Sequence, residues 1–445
     1  MSYHNHSIRD EEKMLKFLGL DSIDSLFSSI PEPLRLKDDL AIEGPLNESQ
    51  LVSEFESIAS DVLTFRESFK GAGAYNHFIP AAVDEVTSRQ EFYTAYTPYQ
   101  PEVSQGTLQT IFEYQTMMCD LTGLDVSNAS MYDGASATAE SILMAMRFNK
   151  RKKVLISSGL HPEYIETVKT YLRNTELEVE LIPLSSGKTS MEALSKEDPD
   201  AVSSVVIQNP NFFGIIEDFE PIRKGFPDSA LIYVTNEALS LSVLKTPGEY
   251  SVDICCGDAQ SFGIPLSFGG PYLGFITCTS EYLHYIPGRL VGATYDNSGK
   301  RAFTMTLSAR EQHIRRERAT SNICSNHALS AIRATVYLSL MGNRGIEGAA
   351  LLSMKNSHLL LEKLSQLKGF SPVYRDARFF HEFLGRLDID PERFNESLKR
   401  YRILGPLNLE RFFPDMENLY LFNTTEMNSE EGMNLLIRAI EEASL

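Results

Sequence analysis

From residue 153 to about residue 279 the chain alternates short, unbroken apolar runs with stretches of helical period. The runs are VLISS, VELIPL, SVVIQN, ALIYVT, VDICCG and LGFITCT, with helices predicted at 162–173 and 190–196. Runs that are apolar without alternation are buried on both faces, which a mostly parallel sheet covered by helices provides. Ligands of such sheets bind beyond the carboxyl ends of the strands. The residues predicted there are His161, Gln208, Asn209, Pro210, Asn236, Asp258, Ala259 and Gln260.

The flanking patterns differ. Residues 11–20 and 21–29 read as two short amphipathic helices, and a helix over 47–59 opens on Asn47 and Gln50 at capping-box spacing. Tyr93, Tyr96 and Tyr99 recur every three residues around Pro98 and Pro101, which predicts a stiff, extended loop. A helix follows from residue 104 or 105 to 121, stopped by Gly123, and a small-residue turn leads into another over 130–148. Further on, a polar helix carrying Arg310, Arg315, Arg316 and Arg318 precedes a long helix from about 322 to 341, ended by Gly342. The tail then reads helix, strand, helix, strand, helix. The resulting division is a helical arm over 1–60, a large α/β domain over 61–342 and a small α+β domain over 343–445.

A chain of 445 residues exceeds what one hydrophobic core fills, in keeping with that division. The formal charge of -19 excludes a nucleic-acid partner, whose phosphates require a basic footprint. No apolar run is long enough to span a membrane, and MSYHNHSIRDEEK has no apolar core of a targeting signal, so a cytoplasmic protein is expected. The cysteines Cys119, Cys255, Cys256, Cys278 and Cys324 show no metal-ligand spacing and are expected to be buried, reduced thiols; no metal site is predicted. Adjacent Cys255 and Cys256 on a strand would point to opposite faces.

Several segments carry candidate chemistry. Gly71 and Gly73 lack the third glycine and the preceding strand of a dinucleotide loop. The turn Gly134-Ala135-Ser136 opens a helix whose amides suit an anion, with Ser136 and Thr138 as added donors, although Ser and Thr are also ordinary caps. Five basic residues in the seven from Arg147 to Lys153 compensate a helix C-terminus. The tyrosine loop is a candidate site wall, set against half-buried packing.

The segments NHFIPAAVD, FYTAYTPYQPEVSQGTLQTIFEYQTMMCDLTGLDVSNASMYDGASATAE, QNPNFFGIIED, PGRLVGATYD and AREQHIRRERATSNICSN resemble the glycine cleavage system P-protein, glycine decarboxylase, over most of residues 65–345. That family occurs as one long chain of two related halves or as two subunits, and this chain is similar to the first half, subunit 1. The resemblance implies an α/β fold of the type I pyridoxal-phosphate-dependent transferase class. It also implies a partner, subunit 2, in a heterodimer or α2β2 assembly, with glycine as substrate and the lipoyl arm of the H-protein as acceptor.

Where the catalytic half has its cofactor lysine, this chain has Gln260, and Asn236 stands where type I enzymes place the aspartate beneath the ring nitrogen. An amide cannot form the Schiff base, nor supply the anion that keeps the ring protonated. The resemblance therefore implies no catalytic residue and no covalent cofactor on this chain, and pyridoxal phosphate on the partner. The shared cleft would draw on Tyr96, Thr97, Tyr99, Gln100, Ser136 and His161. Two alternatives remain at this point: a purely structural or regulatory pseudoenzyme, and a free-standing pyridoxal-phosphate lyase using another lysine such as Lys245.

Overall fold

The computed structural model describes residues 6–38, 40–93, 96–323 and 325–444. They form two compact units, residues 1–63 and 64–445. In the first, helix α1 (Ile8–Leu18) ends on Gly19 in the left-handed conformation, and helix α2 (Glu48–Ser60) opens on the expected reciprocal Asn47–Gln50 capping box. None of its described residues is buried.

The second unit is built on a seven-stranded sheet: β1 (Val126–Ser127), β2 (Lys153–Ser157), β3 (Glu178–Ile182), β4 (Val202–Gln208), β5 (Ala230–Thr235), β6 (Ile254–Asp258) and β7 (Gly274–Cys278). The order is β1-β7-β6-β5-β4-β2-β3. Strands β3, β2, β4, β5 and β6 run parallel, while β7 is antiparallel to both of its neighbours, β6 and β1. Successive side chains serve two separate cores. Val205, Ile207, Leu231, Tyr233 and Cys255 belong to one, and Val154, Ile156, Val206, Ile232, Val234 and Cys256 to the other. Burial on both faces is why the runs carry no alternation. Cys255 and Cys256 do point apart, and Cys119, Cys255, Cys256 and Cys278 are free thiols. The expectation for Cys324 lies outside the described residues.

Helix α3 (Gln105–Thr122) stops on left-handed Gly123, and helices α4 (Gly134–Asn149) and α5 (Pro162–Leu172) pack against each other. The C-terminal part carries a four-stranded antiparallel sheet that includes Glu382–Leu387 and Leu419–Asn423, backed by its own aromatic cluster.

Three expectations need correction. The arginine-rich stretch is not one helix but three short turns, Ser308–Arg310, Gln312–Arg315 and Arg316–Arg318. Leu307 and Arg316 have positive φ, and the Arg310 guanidinium is held by the carbonyls of Ile286 and Gly288. The long helix, α6, begins at Ala328 instead of 322. Asn326 donates to Ala129 and Ser130, and His327 Nδ1 donates to the Tyr272 carbonyl, which holds these two residues outside the helix. Gly342, at φ 58° and ψ 179°, breaks α6 but does not end it; helix resumes as far as Leu364. A hairpin of Leu290–Tyr295 with Arg301–Thr306 went unforeseen.

Candidate functional site: a closed cleft at the carboxyl edge of the sheet

The carboxyl ends of β4, β5 and β6 bring Gln208, Asn236 and Gln260 together with His161 at the start of α5, and all four are buried. His161 accepts the Glu163 amide on Nδ1 and donates from Nε2 to the Ala72 carbonyl at 3.1 Å, so it is the neutral Nε2–H tautomer. Burial lowers its pKa further. Gln208 accepts the His161 amide at 2.8 Å. Gly73, at φ 86°, carries its loop over the edge, and a methyl group there would lie 3.8 Å from Asn236 Nδ2 and 3.9 Å from His161 Nε2. The glycine loop thus covers the strand ends.

Gln260 is fastened by its own turn. Its amide N–H donates to Asp258 Oδ1, and its Nε2 donates to the Ile264 carbonyl at 2.5 Å. Gln260 Oε1 and Asn236 Oδ1 are buried without a hydrogen-bond partner. The void beside Asn236, bounded also by Tyr75, Glu237, His381 and Glu382, measures about 10 Å³. That is the size of one water site, far below the roughly 300 Å³ or more of a small-molecule pocket.

Two of the amides at the start of α4, expected to be open to an anion, are already taken. Ser136 N–H donates to Asp133 at 2.7 Å and Gly134 N–H to Asp258 at 3.2 Å. The Ser136 hydroxyl donates to the Asp133 carbonyl. Any Cβ at Gly134 would meet the Tyr164 hydroxyl at 2.1 Å. Burial pushes the Asp258 carboxyl up to about 7, and the nearby Asp133 charge adds to that shift.

Beside this edge lies a polar cluster that sequence reasoning missed. His77 is clamped between Glu237 at 2.8 Å on Nε2 and Glu426 at 2.7 Å on Nδ1. Both ring nitrogens donate to carboxylates, which makes the ring an imidazolium. Burial by itself would depress its pKa, but the two glutamates outweigh burial and raise it to about 10. Glu237 is also buried, yet His77 pulls its carboxyl well below the usual range. His381 stands 3.9 Å from the same Glu237 oxygen, and burial brings it down to about 4. Glu382, pushed up to about 7 by burial, accepts the Ala72 amide and the Tyr75 hydroxyl, each at 2.7 Å. The signals present were the polar pairs Asn76-His77 and His381-Glu382 inside otherwise apolar segments.

Pyridoxal phosphate does not fit these residues. Gln260 and Asn236 offer amides where an amine and a carboxylate would be needed, the helix start carries the Asp133 and Asp258 carboxylates where a phosphate would need donors, and the void beside Asn236 is one water wide. Lys245 is no substitute. It pairs with Glu220 at 2.7 Å, lies 4.4 Å from the Tyr250 ring centre, and Glu220 raises its pKa, which keeps it an ammonium rather than a nucleophilic amine.

The tyrosine loop is separate from this closed edge. Half-buried packing does not describe it: Tyr96 is 82 % exposed, and Tyr93 and Tyr99 are exposed as well. Pro98 is buried and Thr97 half-buried, its carbonyl accepting the Tyr99 amide, while Gln100 is exposed before the turn Pro101–Val103. The Tyr96 hydroxyl meets Ser325 at 2.8 Å, and the Arg289 guanidinium lies over Tyr99 at 5.7 Å. The basic run at Arg147–Lys153 is spent locally: Lys152 pairs with Glu176, Lys153 with Glu180 and Glu197, and Arg151 donates to backbone carbonyls. Among the described residues no group of three or more potential ligands gathers to hold a metal, and no helix is long and apolar enough to cross a membrane.

This sheet order and its cleft define the type I fold of pyridoxal-phosphate enzymes. The chain superposes on a C-DES protein carrying glycine linked to its pyridoxal phosphate (TM-score 0.63, 14 % identity, 85 % of this chain and 97 % of that one). It also superposes on glutamate decarboxylase of Lactobacillus brevis (TM-score 0.66, 12 % identity, 93 % and 96 %). Those two show the fold alone. The inhibitor-bound crystal structure of glycine decarboxylase, the P-protein of the glycine cleavage system, matches at TM-score 0.88 and 39 % identity over the whole of both chains. The chain is 45 % identical to a probable glycine dehydrogenase (decarboxylating) subunit 1 of Desulfitobacterium hafniense, covering 99 % of this chain and 100 % of that protein. It is 46 % identical to the protein of the same name from Geobacillus thermodenitrificans, over 97 % and 96 %. The profile of the glycine cleavage system P-protein family spans residues 1–439, and the chain belongs to that family.

Proposed function

We propose that this chain is the non-catalytic subunit 1 of a glycine decarboxylase, acting with a subunit 2 that holds pyridoxal phosphate through its own lysine. The observation that carries this reading is Gln260, buried and tied to the Ile264 carbonyl at the position where the resemblance puts the cofactor lysine. The names of the relatives support a two-subunit enzyme. In the assembly glycine would lose carbon dioxide, and its aminomethyl group would pass to the lipoyl arm of an H-protein.

The part of this chain is to complete the partner's cleft. Tyr96, Thr97, Tyr99 and Gln100 stand on a loop anchored by buried Pro98, with the two tyrosine rings exposed, as a wall for a neighbour's site would be. Ser136 and His161 serve the same cleft from behind, by fixing the start of α4 and the Gly71–Gly73 loop. Replacing Tyr96 and Tyr99 together with alanine should lower turnover of the assembled enzyme at least about tenfold, a transition-state loss of about 1.4 kcal/mol, without dissociating the subunits. Glycine-bicarbonate exchange together with gel filtration measures both. Unchanged kinetics in an intact assembly would leave the chain a structural partner only.

A further inference from the structure

The turn after the Gln260 position contains an aromatic ring with no use inside the chain. Phe268 has a relative exposure of 103 %, so its ring contacts nothing that shields it. It is also held in that posture. Ser267 and Phe268 have φ of 45° and 55°, followed by Gly269 at 123° and Gly270 at 110°, and the amides of both glycines donate to the Leu266 carbonyl. Consecutive non-glycine residues in the left-handed region are sterically unfavourable. Such strain persists where the surroundings dictate it, and it concentrates at functional sites. Here it presents a phenylalanine to solvent.

The location gives the ring a neighbourhood. The Tyr272 carbonyl at the foot of the turn accepts from His327 Nδ1 at 2.8 Å, and Ser325, two residues before His327, meets the Tyr96 hydroxyl. Between them Asn326 accepts from Arg289, which lies over Tyr99. Phe268, Tyr96 and Tyr99 therefore issue from two loops tied to one short hub, Ser325–His327. All three aromatic residues are exposed.

We propose that Phe268 is the anchor by which this chain docks on the lysine-bearing subunit 2, its ring filling an apolar pocket of that partner with Tyr96 and Tyr99 beside it. The inference rests on the proposed function in requiring a lysine-bearing partner. A second copy of this chain is the weaker occupant. It would place one closed cleft against another and join two chains of formal charge -19, with no working site at the contact. Exposed phenylalanine and tyrosine side chains, with an arginine over Tyr99, match the composition of interface hot spots.

The test uses the full-length chain and full-length subunit 2, with affinity measured by calorimetry. Phe268→Ala should weaken association roughly 30-fold or more and Phe268→Asp further still, whereas Phe268→Leu should keep most of the affinity. Because the ring touches nothing in its own chain, the thermal midpoint of each isolated variant should equal that of the unsubstituted chain, which separates docking from folding. Unchanged affinity in both the Ala and Asp variants overturns the anchor while leaving the proposed function standing. Self-association of the isolated chain that Phe268→Ala abolishes, with affinity for subunit 2 intact, assigns the ring to a second copy and also overturns it. Failure of the unsubstituted chains to associate at all overturns both readings.

Discussion

Gln260 is buried, and its side-chain amide is tied into its own turn by the Ile264 carbonyl. A Gln260→Lys chain would have to bury an ammonium in place of that amide. No Schiff-base absorbance, and no adduct after borohydride, should appear when that variant is mixed with pyridoxal phosphate; a trapped adduct would show that the cleft can reopen. His77 is the other residue whose replacement has a definite cost. Removing one member of a buried ion cluster strands its partners, so His77→Gln should lose about 3–5 kcal/mol in urea unfolding at pH 7. The pH dependence has a fixed sign. His77 keeps its proton to about pH 10 in the fold, against 6.5 ordinarily, so its stabilisation is complete below 6.5 and is lost as pH rises through 10. The urea midpoint should fall across that window and flatten in the variant. Asp258 and Glu382, raised to about 7, favour the protonated form in the fold and so lose stability between about pH 4 and 7, a separate interval. Asn236 and Gln260 were legible as strand-end residues because they follow unbroken apolar runs. The His77 cluster was not, since its hydrogen bonds join residues 160 and 349 positions apart, and sequence periodicity carries no information on such pairs.

At the scale of elements, the strands and most helices followed from apolar runs and from caps such as Asn47 and Gly123. The two misread stretches before α6 share one cause. Around residues 307–327 the local pattern favours helix, but side chains from distant segments claim the backbone: Arg310 takes the carbonyls of Ile286 and Gly288, and Asn326 and His327 take those of Ala129 and Tyr272. Propensity yields to such tertiary bonds. The hairpin at 290–306 did have a local signal in Asp296 and Gly299: Asp296 accepts the amides of Ser298 and Lys300, and Gly299 has φ 79°. Gly342 shows how a stop signal can be half right. Its φ 58° and ψ 179° belong to a region that glycine alone occupies, and a Cβ there would meet nothing within 4 Å. Gly342→Ala should therefore cost about 1–3 kcal/mol through backbone strain alone, read as a lowered thermal midpoint with an unchanged circular dichroism spectrum at low temperature.

For the whole molecule, the two-faced sheet explains why the fold class was plain in the sequence while the fate of its cleft was not: strands announce themselves by hydrophobicity, but a cleft is closed by residues from everywhere. The unit of residues 1–63 has no buried residue among those described, with Phe17, Leu34 and Phe55 all exposed, so it lacks a core of its own. Limited proteolysis of the isolated chain should trim this unit first and leave a stable fragment beginning near residue 64, identifiable by mass; equal resistance of both units would contradict that. The filled cleft has a thermodynamic counterpart. A protein that binds a ligand only when folded gains stability in proportion to the logarithm of ligand concentration, and so its persistence in a cell follows the vitamin supply. The void beside Asn236 at the edge of this chain's sheet holds about one water, so its melting temperature should stay constant from zero to saturating pyridoxal phosphate and its abundance should be free of that linkage.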